Sequence, residues 1–199
     1  MGDFEQYPDF KPKEECKILF MTRLWDYTAK RDEINEQRKC INRIRIETIK
    51  ALKNEFGSAF FGGIFPNKMS EKYPDLVLSR FDTQKYSYIK RLRSSTICIA
   101  TTGLHDSIGW KMPEYVAASK CIISEPLLYE VTGDFKEKVN YLEYTDVDTL
   151  ISHVHRLLDD NDMRFNMQIC NYRYYREYLR PDSLMLNLIA KVKSNDLKL

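Results

Sequence analysis

Short unbroken apolar runs alternate along this chain with longer stretches whose apolar residues recur every three or four positions. The runs at 17–22, 58–64, 75–79, 96–100 and 121–124 have the length of buried strands, and 140–144 adds a last one. Over 32–56, the residues Ile34, Ile41, Ile44, Thr48 and Leu52 stripe one face of a long helix, which Gly57 closes. Shorter helices are predicted over 83–94 and 113–119, and the remainder reads as helical at 146–158, 163–178 and 183–192. Strands that are apolar throughout belong in a parallel sheet covered on both faces. The predicted fold is α/β, a doubly wound parallel sheet of Rossmann-like type. Residues 16–199 form its single domain, behind a polar, loose lead-in over 1–15 that carries Pro8 and Pro12.

Composition narrows the field. With 199 residues, 43% apolar and 30% charged, the chain has material for one core and has no apolar run long enough to span a bilayer. Lysine plus arginine exceed aspartate plus glutamate by only 31 to 29, so nucleic acid is not an expected partner. Cys16, Cys40, Cys98, Cys121 and Cys170 are scattered without a C-x-x-C pair, which supports neither a disulfide framework nor a zinc site. His153 and His155, two apart on a helix, face different ways. The plain expectation is a reduced, cytoplasmic protein.

In doubly wound sheets the ligand sits outside the carboxyl ends of the strands. The loop after the run 96–100, residues 101–112, is polar, holds Gly103 and Gly109, and leads into a helix with Pro113 in its first turn. A helix start offers unpaired N–H groups, Gly109 lets backbone approach closely, and Lys111 adds a cation; together these suit a phosphate or diphosphate. Neither a Walker loop nor a G-x-G-x-x-G turn occurs, which disfavours a kinase or a dinucleotide-dependent dehydrogenase. Two carboxylates bracket the loop. Glu114, in the first helical turn, suits a ribose diol, and Asp106, eight positions earlier, is placed to reach a second sugar. Both acids also simply favour a helix start.

The string 106–120, an acid, two residues, Gly109, four residues, Glu114 and then a small-residue helix before the run 121–124, resembles the E-x7-E signature of group 1 (family 4-like) glycosyltransferases. The resemblance covers about 17–190 and implies the carboxyl-terminal, donor-binding half of a two-domain GT-B enzyme. It implies transfer of a glycosyl group from a nucleoside diphosphate sugar such as a UDP- or GDP-sugar, with retention at the anomeric carbon. Glu114 then holds the ribose, and Asp106 contacts the donor sugar near the reacting carbon. Ser107, Ile108, Gly109 and Trp110 face the diphosphate, with Gly103 and His105 in the same loop. Arg23, after the first run, and Lys30 match the pair that clamps the diphosphate, so Asp106, Arg23 and Lys30 are the expected catalytic group. Arg80 and Phe81 fall where the family contacts the base. No D-x-D stands in a place suited to a metal (the one at 146–148 opens a helix), so neither metal nor cofactor is expected. The chain departs from the pattern at Asp106, one methylene shorter than the usual Glu, and at Ser119 and Thr22, where glycines are common. Lys30 is spaced about one residue too far, and Arg31 competes with it.

A GT-B enzyme also has an amino-terminal, acceptor-binding half of similar size. The resemblance therefore implies that this chain is a donor domain missing that partner and is expected to bind nucleotide without transferring sugar alone. Two alternatives stand beside it: a non-catalytic Rossmann-like interaction module, and half of a sugar-nucleotide epimerase. The Tyr- and Arg-rich segment 171–180 offers a peripheral grip on an anionic membrane. The commoner use of such a segment is a helix edge whose tyrosines pack on the core or on the missing half.

Overall fold

In the computed structural model, which describes residues 2–196, neighbouring residues of each apolar run feed two different cores. Ile18, Phe20, Ile97, Ile99, Cys121 and Ile123 pack into one, against Ile46, Ile49, Leu52, Leu150, Val154 and Leu157. Leu19, Met21, Cys98, Ala100 and Ile122 pack into the other, against Leu92, Met112, Tyr115 and Val116. A strand turns successive side chains to opposite faces, so runs without polar interruption require helices on both sides.

The elements are β1 (Ile18–Thr22), α1 (Asp32–Phe56), β2 (Phe60–Ile64), α2 (Lys85–Ser94), β3 (Ile97–Ala100), α3 (Lys111–Ala117), β4 (Cys121–Ser124), β5 (Leu142–Glu143), α4 (Val147–Asp159), α5 (Asn161–Tyr174) and α6 (Pro181–Asp196). The sheet runs β2-β1-β3-β4-β5 and every pairing is parallel. Ile18 lies opposite both Phe60 and Ile97. The strand order reverses between β1 and β3, and that switch point is where such sheets open a crevice at their carboxyl ends.

The structure corrects several expectations. The run 75–79 forms no strand: Pro74–Leu76 makes a 3-10 turn, and only Val77 bridges Ile64, as a one-residue extension beyond β2. The last strand shrinks to Leu142–Glu143. The helix predicted over 163–178 ends at Tyr174 and passes into a π turn over Tyr175–Leu179, so Arg173, Arg176 and Arg180 do not lie on one regular helix. Tyr174 and Tyr175 are buried there, so this part of the segment packs on the core. The buried stripe of α1 is also rotated from the expected one. Thr48 and Leu52 of the expected stripe are buried, together with Asn42, Arg45, Ile46 and Ile49, whereas Ile34, Ile41 and Ile44 are half-exposed. Two polar side chains are accepted inside because backbone groups wait for them there; Asn42 bonds both the N–H and the carbonyl of Trp25 at 2.8 Å.

The lead-in is not loose. Gln6 N donates to the carbonyl of Ala117 at 3.0 Å, and Ser119 Oγ donates back to the Gln6 carbonyl at 2.6 Å. The ammonium of Lys120, only 1% exposed, donates to Gln6 Oε1 and to the carbonyl of Arg93. Phe4 meets the ring of Tyr88 edge-on, and Tyr7 and Phe10 pack on Tyr172 and Phe165. At the other end, α6 leaves Leu184, Met185, Leu186, Leu188, Ile189 and Val192 exposed. Among the described residues, no helix is long and apolar enough to cross a membrane.

Candidate functional site

At the switch point, one buried arginine fastens the segments that leave β1 and β3. Arg45 of α1 donates from Nη1 to the carbonyl of Arg23 at 2.7 Å, from Nη2 to the carbonyl of Thr102 at 3.1 Å and from Nε to Thr101 Oγ1 at 3.3 Å. Burial pushes its pKa down to about 10, with Glu125 and Tyr144 pulling the other way, so it stays charged near neutrality. Glu125, just past β4, accepts from Thr102 N at 2.6 Å and from Thr102 Oγ1 at 3.0 Å. The exits of three adjacent strands are thus tied together by two charged side chains.

The loop that follows β3 closes on itself. Gly103 N donates to the carbonyl of Ser107 at 2.9 Å, Ser107 N to that of Leu104, and Tyr129 Oη to that of His105. His105 and Asp106 both take left-handed backbone, with φ of 55° and 56°, a conformation that costs a residue with a Cβ about 1 kcal/mol or more. This turn carries the His105, Asp106 and Ser107 side chains into solvent. The crevice beneath it, between Thr101, Thr102, Ile108, Gly109, Lys111 and Leu127, measures about 10 Å³, room for roughly one water.

Beside the loop stands a second set of contacts. Phe65 follows β2, held by its N–H on the carbonyl of Thr22 at 2.8 Å. Its ring takes the guanidinium of Arg23 at 5.8 Å and the ammonium of Lys111 at 5.4 Å, so both cations rest on one aromatic residue. Lys111 also lies 5.1 Å from the centre of the Tyr88 ring. Burial lowers the Lys111 pKa to about 8; Glu114 opposes that shift and Arg45 adds to it. The hydroxyl of Tyr88 donates to Glu114 Oε2 at 2.6 Å. The result is two cations and a carboxylate within one cluster at the carboxyl edge, with Phe65 and Tyr88 between them.

Of the residues singled out in the sequence, Arg23, Lys111 and Glu114 are brought together through Phe65 and Tyr88. Gly103, Ile108 and Gly109 belong to the loop alongside. Trp110, at the start of α3, is 83% exposed. Lys30 lies exposed ahead of α1, and Arg80 and Phe81 lie exposed on the turn before α2, outside these contacts. The expected helix start moves two residues earlier, to Lys111, which keeps Glu114 in the first turn. Sequence reasoning missed Arg45, Phe65, Tyr88 and Glu125. For Arg45 a signal existed: a charged residue falls three positions after Asn42 and four before Ile49, on the face that α1 buries. The other three act through contacts that no local spacing announces.

No family model matches the sequence, and no curated protein matches it. Solved structures do match. The chain is similar to the C-terminal domain of a glycosyl transferase group 1 family protein (LpcC) from Francisella tularensis, with a TM-score of 0.60 and 10% identity over 90% of this chain and 98% of that one. It is also similar to TarM, with a TM-score of 0.58 and 12% identity over 94% of this chain and 36% of that chain. At such identities the likeness establishes the fold: a Rossmann-like domain of the kind that makes the carboxyl-terminal half of a GT-B protein.

Proposed function

We propose that this domain binds a nucleoside diphosphate sugar as the donor half of a retaining glycosyltransferase. The observation that carries the reading is the joint seating of Arg23 and Lys111 on Phe65, beside Glu114, at the sheet's switch point. Two cations there would meet the diphosphate, and they would offset the negative charge that builds on the leaving nucleotide as the glycosidic bond breaks. The carboxylate of Glu114 would accept the ribose hydroxyls. Asp106, on the exposed left-handed turn, would meet the donor sugar, with Ser107, Ile108, Gly109 and Trp110 lining the approach. Lys111, seated on the ring that carries Arg23, takes the second clamping position in this reading, and Lys30 would join only if its loop closed over the ligand. No step needs a metal. The acceptor would come from a second domain, as it does in GT-B architecture, and the base would be met by Arg80 and Phe81.

The test is thermal: UDP, GDP or one of their sugars should raise the melting temperature, and Glu114→Ala should cut the rise, leaving only the part due to Arg23 and Lys111. A second reading, a non-catalytic interaction module, is favoured by the loop after β3. Its polar groups largely satisfy one another, and its crevice is nearly closed. Unchanged melting with UDP, GDP, ADP and their sugars would decide for the module.

A further inference from the structure

We infer that Tyr88 is the positioning residue of this site: its hydroxyl fixes the carboxylate meant for the ribose, and its ring seats the cation meant for the diphosphate. The inference rests on the proposed function and adds a residue from α2 that no motif marks.

The two halves of Tyr88 do different work. The hydroxyl donates to Glu114 Oε2 at 2.6 Å, a short contact of the kind an ionised acceptor gives. A free glutamate would have to give up several rotamers on meeting a diol, whereas one already tethered through Oε2 loses fewer. One bond leaves the second oxygen, and the remaining lone pair on Oε2, open to further donors. Burial, together with the nearby Tyr115 and Glu114, pushes the Tyr88 pKa far up, so its proton stays on throughout the working range. The neighbouring Tyr115 hydroxyl is buried without a hydrogen-bond partner of its own, yet Tyr88 is bonded to Glu114, as expected where the choice lies between a carboxylate and a phenol.

The ring face acts on Lys111. An ammonium paired directly to Glu114 would quench both groups before any ligand arrived. An aromatic face instead holds the ammonium without neutralising it, and the Lys111 Nζ lies 5.1 Å from the Tyr88 centroid and 5.4 Å from that of Phe65. Tyr88 thus stands between the cation and the carboxylate and keeps both available. The ring is itself backed from outside by Phe4, edge-on at 6.2 Å.

Replacing the hydroxyl and replacing the ring therefore have different effects, which titration calorimetry with UDP, GDP and inorganic pyrophosphate reads. Tyr88→Phe keeps the ring: it should weaken the nucleoside diphosphate at least about fivefold and leave pyrophosphate within about twofold. Tyr88→Leu loses both parts: it should weaken pyrophosphate as well, and the nucleoside diphosphate by more than Tyr88→Phe does and by more than pyrophosphate loses. In the background of Glu114→Ala, Tyr88→Phe should have no further effect on nucleotide affinity, and that cycle decides even if pyrophosphate binds too weakly to measure. Unfolding curves on each variant confirm that the compared proteins are folded. Nucleotide binding by Tyr88→Phe equal to the unmutated chain overturns the inference, as does an undiminished effect of that change in the Glu114→Ala background. Absence of nucleotide binding by the unmutated protein would instead overturn the proposed function, and the positioning role would fall with it.

Discussion

Arg45 Nη1 donates to the backbone carbonyl of Arg23 across 22 positions of sequence, and the same guanidinium reaches Thr101 and Thr102 on the far side of the switch point. One buried side chain therefore sets the distance between the two strand exits on which any ligand there depends. Arg45→Ala should destabilise the fold by about 2–4 kcal/mol, because two carbonyls and a hydroxyl lose a charged donor in a place water reaches poorly. Arg45→Met, which keeps much of the volume, should recover part of that loss without restoring the loop geometry. Urea unfolding of the three proteins checks this; equal midpoints for all three would show that the contacts carry no weight.

Lys111 should make ligand binding pH-dependent. Its ammonium loses its proton near pH 8 in the folded protein, because burial disfavours the charge. Affinity for a diphosphate should hold below about pH 7 and decline as the pH rises past 8. Lys111→Met should bind weakly at every pH and show a flat profile, and calorimetry at three pH values is enough to tell the two behaviours apart.

Lys120 should appear in stability rather than in binding. Burial lowers its pKa to about 8 from the ordinary 10.5, although it keeps its bonds to Gln6 and Arg93. Between these two values Lys120 holds more proton in the unfolded chain than in the folded one, so its contribution to stability should rise with pH across that window, with Lys111 adding in the same sense. Cys98 and Cys121, whose thiols burial pushes upward, work in the opposite sense from about pH 9, and Tyr88, Tyr115 and Tyr144 do so above about pH 10, because the unfolded groups ionise first. Denaturant midpoints should climb from pH 7 to about 9, and Lys120→Met should climb less. A midpoint that falls steadily from pH 7 would contradict the assignment.

Tyr115→Phe should be neutral or stabilising, by up to about 1 kcal/mol. Its hydroxyl is fully buried with no partner, so deleting it removes a desolvated polar group at almost no change in shape. Unfolding experiments on this single variant suffice, and a loss of more than 1 kcal/mol would mean that the hydroxyl is satisfied after all.

Much of the fold was legible because it is local. Ile18 to Thr22, Ile97 to Ala100 and Cys121 to Ser124 are apolar over the length of a strand and are strands. The stretch 75–79 has the same composition, but Leu76 is caught in a 3-10 turn after Pro74 and only Val77 finds a partner. Composition records the burial of a segment and not the number of its neighbours. The rotation of α1 has a similar cause, since Asn42 and Arg45 read as outward residues until the backbone groups that need them are known. Within the site, Glu114, Lys111 and Arg23 were readable from their place after strands, whereas Phe65 and Tyr88 join them through contacts between distant parts of the chain. The lead-in misled for the same reason: Pro8 and Pro12 mark irregular backbone, and irregular backbone can still be bound down.

Phe4, resting on the outer edge of Tyr88, links the chain's first residues to the carboxylate that Tyr88 holds. Anything that locks Glu114 in place should also slow the peeling of that amino-terminal strip, and anything that peels the strip should loosen Glu114. Resistance of residues 2–15 to an endoprotease then becomes an external gauge of what occupies the carboxyl edge of the sheet.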